Sequence, residues 1–190
     1  MFRIRYDSAT VISESILEGE KVRLRPVEER DLPHFVTWLA DPEVSRWLAA
    51  VGEPPTLKDE YDWYEGARSD ENGVLWSIET LDGDLVGSTD LRLAQHAERA
   101  ELGIAIQDKT RWSEGLGTDA VRLVVEYAFD ELGLHRVELH VDEANARAVR
   151  CYEKCGFVRE GLLRDHRRVE GKFSNTIQMS ILASEWKPEP

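Results

Sequence analysis

The ten residues Arg111-Trp112-Ser113-Glu114-Gly115-Leu116-Gly117-Thr118-Asp119-Ala120 hold the pattern in this chain best suited to chemistry. Gly115 and Gly117 open a stretch with helical spacing, and an apolar, strand-like run from Leu102 to Ile106 ends shortly before them. Glycine lets backbone N–H groups approach a ligand closely, and a helix start presents unpaired N–H donors at the positive end of its dipole. Such a loop suits a phosphate or pyrophosphate. As a bare pattern it also satisfies G-x-G-x-x-A, the dinucleotide fingerprint, with Glu138 about twenty residues on. The context argues against a dinucleotide enzyme. Eight residues, Gln107 to Glu114, separate the strand from the glycines, and no further βαβ units follow Val141. A P-loop fails as well, because no Lys-Ser or Lys-Thr follows the glycines.

Periodicity predicts the elements that position this loop. Residues 1–18 lack a clear period and read as an arm, 19–184 as one domain, and 185–190 as a short tail. Lys21 to Pro26 alternates as a strand, Glu28 to Leu39 has helical spacing, and Pro42 to Ala49 reads as a short helix with Asp41 as its N-cap. A helix over about 57–69 follows. Strands over 74–80 and 84–93 flank a turn at Leu81-Asp82-Gly83, and a third runs from Arg99 to Ile106. The glycine loop then leads into a helix over 117–132, stopped by Gly133. A strand from Arg136 to Val141, a helix from Ala146 to Lys154, and a hairpin of 157–164 with 173–182 around Glu170-Gly171 complete the order. Early helices, an antiparallel meander, one βαβ crossover and a closing hairpin make a mixed α/β domain.

A second signature follows the loop. Asn145-Ala146-Arg147-Ala148-Val149-Arg150-Cys151-Tyr152-Glu153-Lys154-Cys155-Gly156-Phe157 opens on an Asn and closes in Tyr-x-x-x-Gly-Phe. With Trp112-Ser113-Glu114-Gly115-Leu116-Gly117 standing for Q/R-x-x-G-x-G/A, the chain resembles the GNAT superfamily of acyl-CoA-dependent N-acetyltransferases. Val22-Arg23-Leu24-Arg25-Pro26, Glu29-Arg30-Asp31-Leu32 and Phe157-Val158-Arg159-Glu160-Gly161 resemble one branch in particular. That branch holds ribosomal-protein N-terminal acetyltransferases and bacterial spermidine N-acetyltransferases. Two departures stand out: Trp112 replaces the usual Gln or Arg, and Glu114 stands where Lys or Arg is common.

The resemblance implies the acyl-CoA N-acyltransferase fold, a central, mostly antiparallel twisted sheet flanked by helices, with acetyl-CoA as co-substrate. It implies that pantetheine pairs with backbone at Ile104 and Ile106 and hydrogen-bonds Asn145, and that pyrophosphate meets Glu114, Gly115, Leu116, Gly117 and Thr118. Arg147, Arg150 and Lys154 are then placed for the nucleotide phosphates, with helix-surface salt bridges as the alternative. Acetyl transfer to an amine needs a base, because the amine arrives protonated with a reference pKa near ~10.4. Glu101 is the candidate, acting directly or through a water. On its strand Glu101, Gly103 and Ala105 share one face, while Leu102, Ile104 and Ile106 share the other, which reads as core. Tyr152, by the family's pattern, is the candidate acid for the departing thiolate. Asp90 aligns approximately with an acidic residue of the spermidine enzymes and is a candidate for the acceptor amine.

Bulk properties bound the rest. The net charge is −13, which argues against nucleic acid as a partner. Residues 41–82 hold eleven acidic and three basic residues, and the resemblance makes this segment a wall of the acceptor site that attracts a cationic amine. The tryptophans Trp38, Trp47, Trp63 and Trp76 read mainly as core. No apolar run approaches the ~20 residues of a membrane span, and no secretory signal is evident at the N-terminus, so a cytoplasmic location is expected. Cys151 and Cys155 read as reduced thiols, and the five histidines show no metal spacing. The family's habit of dimerising makes a homodimer an expectation as well. Substrate candidates are a protein N-terminus, a polyamine or an aminoglycoside-like amine. The alternative class is a CoA-binding regulatory module without catalysis, and a dinucleotide enzyme is the remote one.

Overall fold

The computed structural model describes residues 15–48, 53–68, 72–94, 98–169 and 171–187. Residues 1–14 of the expected arm, 188–190 of the tail, Ala49 of the short helix and Glu170 of the last turn lie outside that set. Eight strands form one sheet: β1 (Leu17–Glu18), β2 (Val22–Pro26), β3 (Gly73–Thr80), β4 (Leu85–Leu93), β5 (Arg99–Ile106), β6 (Arg136–Asp142), β7 (Val158–Val169) and β8 (Lys172–Leu182). The helices are α1 (Leu32–Leu39), α2 (Pro42–Ser45), α3 (Leu57–Arg68), α4 (Leu116–Glu126) and α5 (Ala146–Lys154). The strand order is β1-β2-β3-β4-β5-β6-β8-β7, antiparallel throughout except for β5 and β6. The mixed, mostly antiparallel architecture expected from the sequence is the one observed.

Alternation along the strands sorts the sheet into two faces. One face carries Trp76, Ile78, Leu91, Leu102, Val137, Leu139 and Met179 and packs against Ala120, Val121, Val124 and Val125 of α4. The other meets α1 and α3 through a smaller cluster of Val27, Leu32, Phe35 and Tyr64. The helix expected over 117–132 changes geometry at its end: residues Tyr127–Glu131 form a π turn, with Leu132 N–H donating to the Tyr127 carbonyl at 3.1 Å. Tyr127, Ala128 and Phe129 are all buried. An α-helix does not easily bury three consecutive residues on one side, and the wider turn seats Tyr127 edge-on against Trp76, ring centroids 5.3 Å apart.

The helix expected from Glu28 also begins differently. Glu29–Asp31 is a 3-10 turn, and α1 starts only at Leu32 with Pro33 in its first turn. The cause is Asp31, whose carboxylate folds back to accept the Glu28 N–H at 2.9 Å. It also takes both Arg25 terminal nitrogens at 2.7 Å and the Ser77 hydroxyl at 2.7 Å, while Arg25 Nε reaches Glu79 at 2.6 Å. Arg25 and Asp31 are buried, so this network ties β2, β3 and the entry to α1 together out of water. Burial opposes ionisation of Asp31, but the hydrogen bonds from Arg25, Glu28 and Ser77 outweigh it and hold the carboxyl below its ordinary value.

Removing one partner of a buried pair strands the other, at a cost of about 3–5 kcal/mol. Asp31→Asn is therefore expected to lower urea-unfolding stability by about that amount at pH 7. Because the folded pKa is depressed, this stabilisation is complete above the unfolded value of 3.8 and is lost as pH falls through the folded one. The gap between wild type and variant should thus be flat at neutral pH and shrink in acid. A gap that does not change with acid would remove Asp31 from the acid response.

Candidate active site

β5 and β6 pair only from Arg99↔Arg136 to Glu101↔Glu138 and then part. The other edge of β5 remains paired with β4 over Ala100 to Ile106. Gln107 N–H donates to the Val86 carbonyl of β4, so strand alternation turns the backbone groups of Leu102, Ile104 and Ile106 towards the open side. A cavity of about 780 Å³ follows this opening. It is lined at one end by Gly115, Leu116, Gly117, Thr118, Asn145 and Tyr152, and at the other by Asp90, Glu101, His140 and His166. Ile104 and Ile106 line it between. Every site residue expected from the sequence lies on this cavity except Glu114.

The glycine loop has the geometry its sequence implies. Gly115 is the N-cap of α4 at φ 88°, ψ 0°, a left-handed conformation that glycine adopts without strain, and Ser113 is also left-handed at φ 71°. A Cβ on Gly117 would make only ordinary contacts, 3.5 Å to Ile106 and 3.9 Å to Cys151. Protein packing thus does not demand a glycine there. Glu114 turns away: its carboxylate takes Arg111 Nε at 2.9 Å, and Arg111 reaches on to Asp84 at 3.3 Å. Its carbonyl accepts Lys21 Nζ at 2.8 Å. An acidic side chain at this position is therefore neutralised outside the cradle.

Trp112, the departure from the family's Gln or Arg, donates its indole N–H to the Ile106 carbonyl at 2.7 Å. It clamps the end of β5 to the loop and occupies one acceptor of the open edge. The Arg147 guanidinium lies 3.7 Å from the centre of the indole ring, a cation–π contact between α5 and the loop. Asn145 caps α5, its Oδ1 accepting Ala148 N–H at 3.2 Å, so any hydrogen bond it gives a ligand must come from Nδ2. Tyr152 is buried against Phe157, ring centroids 5.9 Å apart. Burial, with the neighbouring Cys151 and Cys155, pushes its phenol well above the ordinary value, so it stays protonated and able to donate.

The acceptor end is mixed in charge. Glu101 lies 3.6 Å from Arg92 and 3.4 Å from His140 Nδ1, not paired to Arg99, which instead meets Glu138 at 3.8 Å. Asp90 sits over Gly103, where a Cβ would come within 2.2 Å of its carboxylate, and pairs with Arg92 at 2.9 Å. Burial raises the Asp90 carboxyl, with Arg92 opposing. The acidic segment contributes apolar lining, Val44, Trp47 and Leu48, while Asp41 and Glu43 are tied to Lys109 at 2.7 and 2.6 Å. Of the tryptophans, Trp76 is fully buried, Trp63 is exposed, and Trp47 lines the cavity. Sequence reasoning missed His140 and His166. A histidine two residues beyond Glu138 on the strand that faces Glu101 was the available signal for the first.

An anion-receiving helix start beside a strand whose backbone edge is left open defines a site for an extended, phosphorylated acyl carrier. Comparison with known proteins agrees. Residues 21–158 match the family model for the acetyltransferase (GNAT) domain. The spermidine N(1)-acetyltransferase of Escherichia coli K12 is 32% identical over 174 residues, 90% of this chain and 91% of that protein. An aminoglycoside N(6')-acetyltransferase type 1 of Klebsiella pneumoniae is 28% identical over 75% of this chain and 77% of its own length. The spermidine N-acetyltransferase of Vibrio cholerae, solved with CoA and spermine, superposes with a TM-score of 0.79 at 26% identity, covering 86% of this chain and 96% of that one. The chain belongs to the GNAT family and is an acetyl-CoA-dependent N-acetyltransferase. No helix among the described residues is long and apolar enough to cross a membrane.

Cys151, also on the cavity, has a hydrogen bond with Cys155 that lowers its thiol to about 7; burial opposes this, and Thr118, Lys154 and Arg122 assist. Iodoacetamide should label it with a midpoint near pH 7, and CoA should slow the labelling. A midpoint in the ordinary thiol range, near ~8.5, would contradict the geometry.

Proposed function

We propose that the protein moves acetyl from acetyl-CoA to a cationic primary amine by direct attack, with both substrates bound together. One observation carries the reading: a single cavity joins the glycine loop to Glu101 and Asp90 across the parted strands. In this reading the N–H groups around Gly115 to Thr118 hold pyrophosphate, and the open edge at Ile104 and Ile106, with Asn145 Nδ2, holds pantetheine. The residues present fit that ligand: the loop is preformed, and Gly117 leaves its backbone approachable. Arg147, Arg150 and Lys154 line the same end and supply positive charge for the nucleotide.

The amine enters from the α1–α3 face, where Asp90 and Glu101 share Arg92 as their counter-charge. An ammonium replaces Arg92 there without leaving either carboxylate unpaired. Glu101 draws the proton from the ammonium, directly or through a water, and the freed nitrogen then bonds the acyl carbon. Tyr152 returns a proton to the sulfur as the thioester bond breaks. An acetyl-cysteine route finds no support in the surroundings of Cys151, where Thr118, Cys155, Lys154 and Arg122 act on the thiol and no imidazole among the described residues does. A polyamine is the acceptor class favoured by the carboxylate pair, and the names of the E. coli and V. cholerae relatives point the same way. A peptide N-terminus and an aminoglycoside are the other candidates.

Thiol release from acetyl-CoA, measured across a panel of polyamines, aminoglycosides and N-terminal peptides, tests this. Spermidine is expected to accelerate release most. Binding of CoA without acceleration by any amine would overturn the reading in favour of a regulatory module. Tyr152→Phe is expected to reduce kcat by about 10²-fold with CoA affinity retained, and an unchanged kcat would take Tyr152 out of the proton path.

A further inference from the structure

The acceptor end holds a feature that acetyl transfer as described so far does not use. β7 and β8 are in register at Leu163↔Thr176 and again at Arg167↔Ser174, so Arg164, Asp165 and His166 stand opposite Asn175 alone. Bulges of this kind bend a strand and re-aim a side chain. This one is held in place against strain: Asp165 is left-handed at φ 52°, and its N–H is taken by Asn175 Oδ1 at 3.0 Å. Asn175 is fixed in turn by Glu143 at 2.8 Å. The bend places His166 on the cavity wall, its Nδ1 3.1 Å from the Thr176 hydroxyl and its ring tilted 33° against that of His140, centroids 6.2 Å apart.

His140 lies between that ring and Glu101. Its Nδ1 is 3.4 Å from Glu101 Oε1, and an ionised carboxylate can only accept, so Nδ1 carries the hydrogen and Nε2 is left as the basic atom. We propose that His140 Nε2 is the atom that takes the proton from the acceptor amine, with Glu101 and His166 as positioning residues that fix the imidazole. This rests on the acetyl-transfer reading and assigns to His140 the proton that reading gave to Glu101. The ammonium first gives one proton to Nε2, which passes it to solvent through the exposed side of the ring, and the freed amine nitrogen then bonds the acyl carbon. As the C–S bond breaks the thiolate takes a proton from Tyr152; the second nitrogen-bound proton leaves through Nε2 to solvent, and solvent returns one proton to the phenolate. An imidazole titrates near neutrality, whereas a free carboxylate is ionised from about pH 5 upward and is the poorer match for a base at pH 7.

The charges around His140 are those of every strand packed there. Glu101 on β5 favours its cationic form, as does the buried Asp142 on β6, whose carboxylate is bound by Ser174 and the Ala144 N–H. Glu138 on β6 is already paired with Arg136 and Arg99. Arg92 on β4, beside Asp90 and Glu101, and His166 and Arg167 on β7 oppose a second positive charge, and Gln178 across on β8 is neutral.

The test is the pH dependence of kcat/KM with the fastest amine of the panel, for wild type and for His140→Gln, Glu101→Gln and His166→Phe. CoA affinity by calorimetry serves as the control for folding. The expected wild-type profile rises through an acid limb near neutrality. His140→Gln should lose about 10²-fold in rate and lose that limb, and free imidazole should restore part of the rate to His140→Ala. Glu101→Gln should be slower but keep the limb, and His166→Phe should keep it with a midpoint moved to higher pH. An unchanged profile in His140→Gln, or a limb that vanishes in Glu101→Gln alone, would overturn the assignment while wild-type turnover left the acetyl-transfer reading standing. A wild type that turns over no amine would bring down both.

Discussion

Three residue pairs hold β5 to β6, and the molecule depends on there being no more. Each further rung would close the sheet and satisfy the β5 edge internally, leaving nothing for an extended ligand to pair with. The parting is made affordable on both sides. β4 holds the far edge of β5 along its length, and β8 holds the far edge of β6 from Arg136 to Asp142. Ala120, Val121 and Val124 of α4 belong to the same buried cluster as side chains of both strands.

The two faces reached through that opening differ in kind. The α4–α5 side is built from backbone and cations: a left-handed glycine cap, a second glycine, and Arg147, Arg150 and Lys154. The other side is built from side chains of alternating sign, with Asp90, Glu101, Arg92 and Arg167 around two imidazoles. In the proposed reading a polyanionic carrier and a polar acceptor are separated by the sheet and meet only where it parts. The strongly acidic segment that the sequence suggested as the acceptor's wall supplies its apolar side chains to the cavity and neutralises Asp41 and Glu43 on Lys109.

What was legible in the sequence was what local chemistry dictates. Gly115 and Gly117 at a helix start, Asn145 as a cap, and the alternation that sends Glu101 to one face and Ile104 to the other are each decided within a few residues. The parts that were not legible are decided by distant partners. Asp31 shortens α1 because Arg25 and Ser77 compete for its carboxylate. The Glu114 carboxylate is paired by Arg111, and the Trp112 indole reaches the Ile106 carbonyl. His166 enters the site only through a three-residue bulge whose register no single strand announces.

The tie between Lys21 and the glycine loop has a consequence in time as well as space. Asp119, in the first turn of α4, accepts the backbone N–H groups of Lys21 at 2.8 Å and Val22 at 3.0 Å, and Lys21 reaches the Glu114 carbonyl from the same turn. The residues at the first of these contacts are 98 positions apart. Closing a loop of that length costs more chain entropy than closing a local turn, so the glycine loop is expected to reach its final geometry only once Lys21 and Val22 have docked on Asp119.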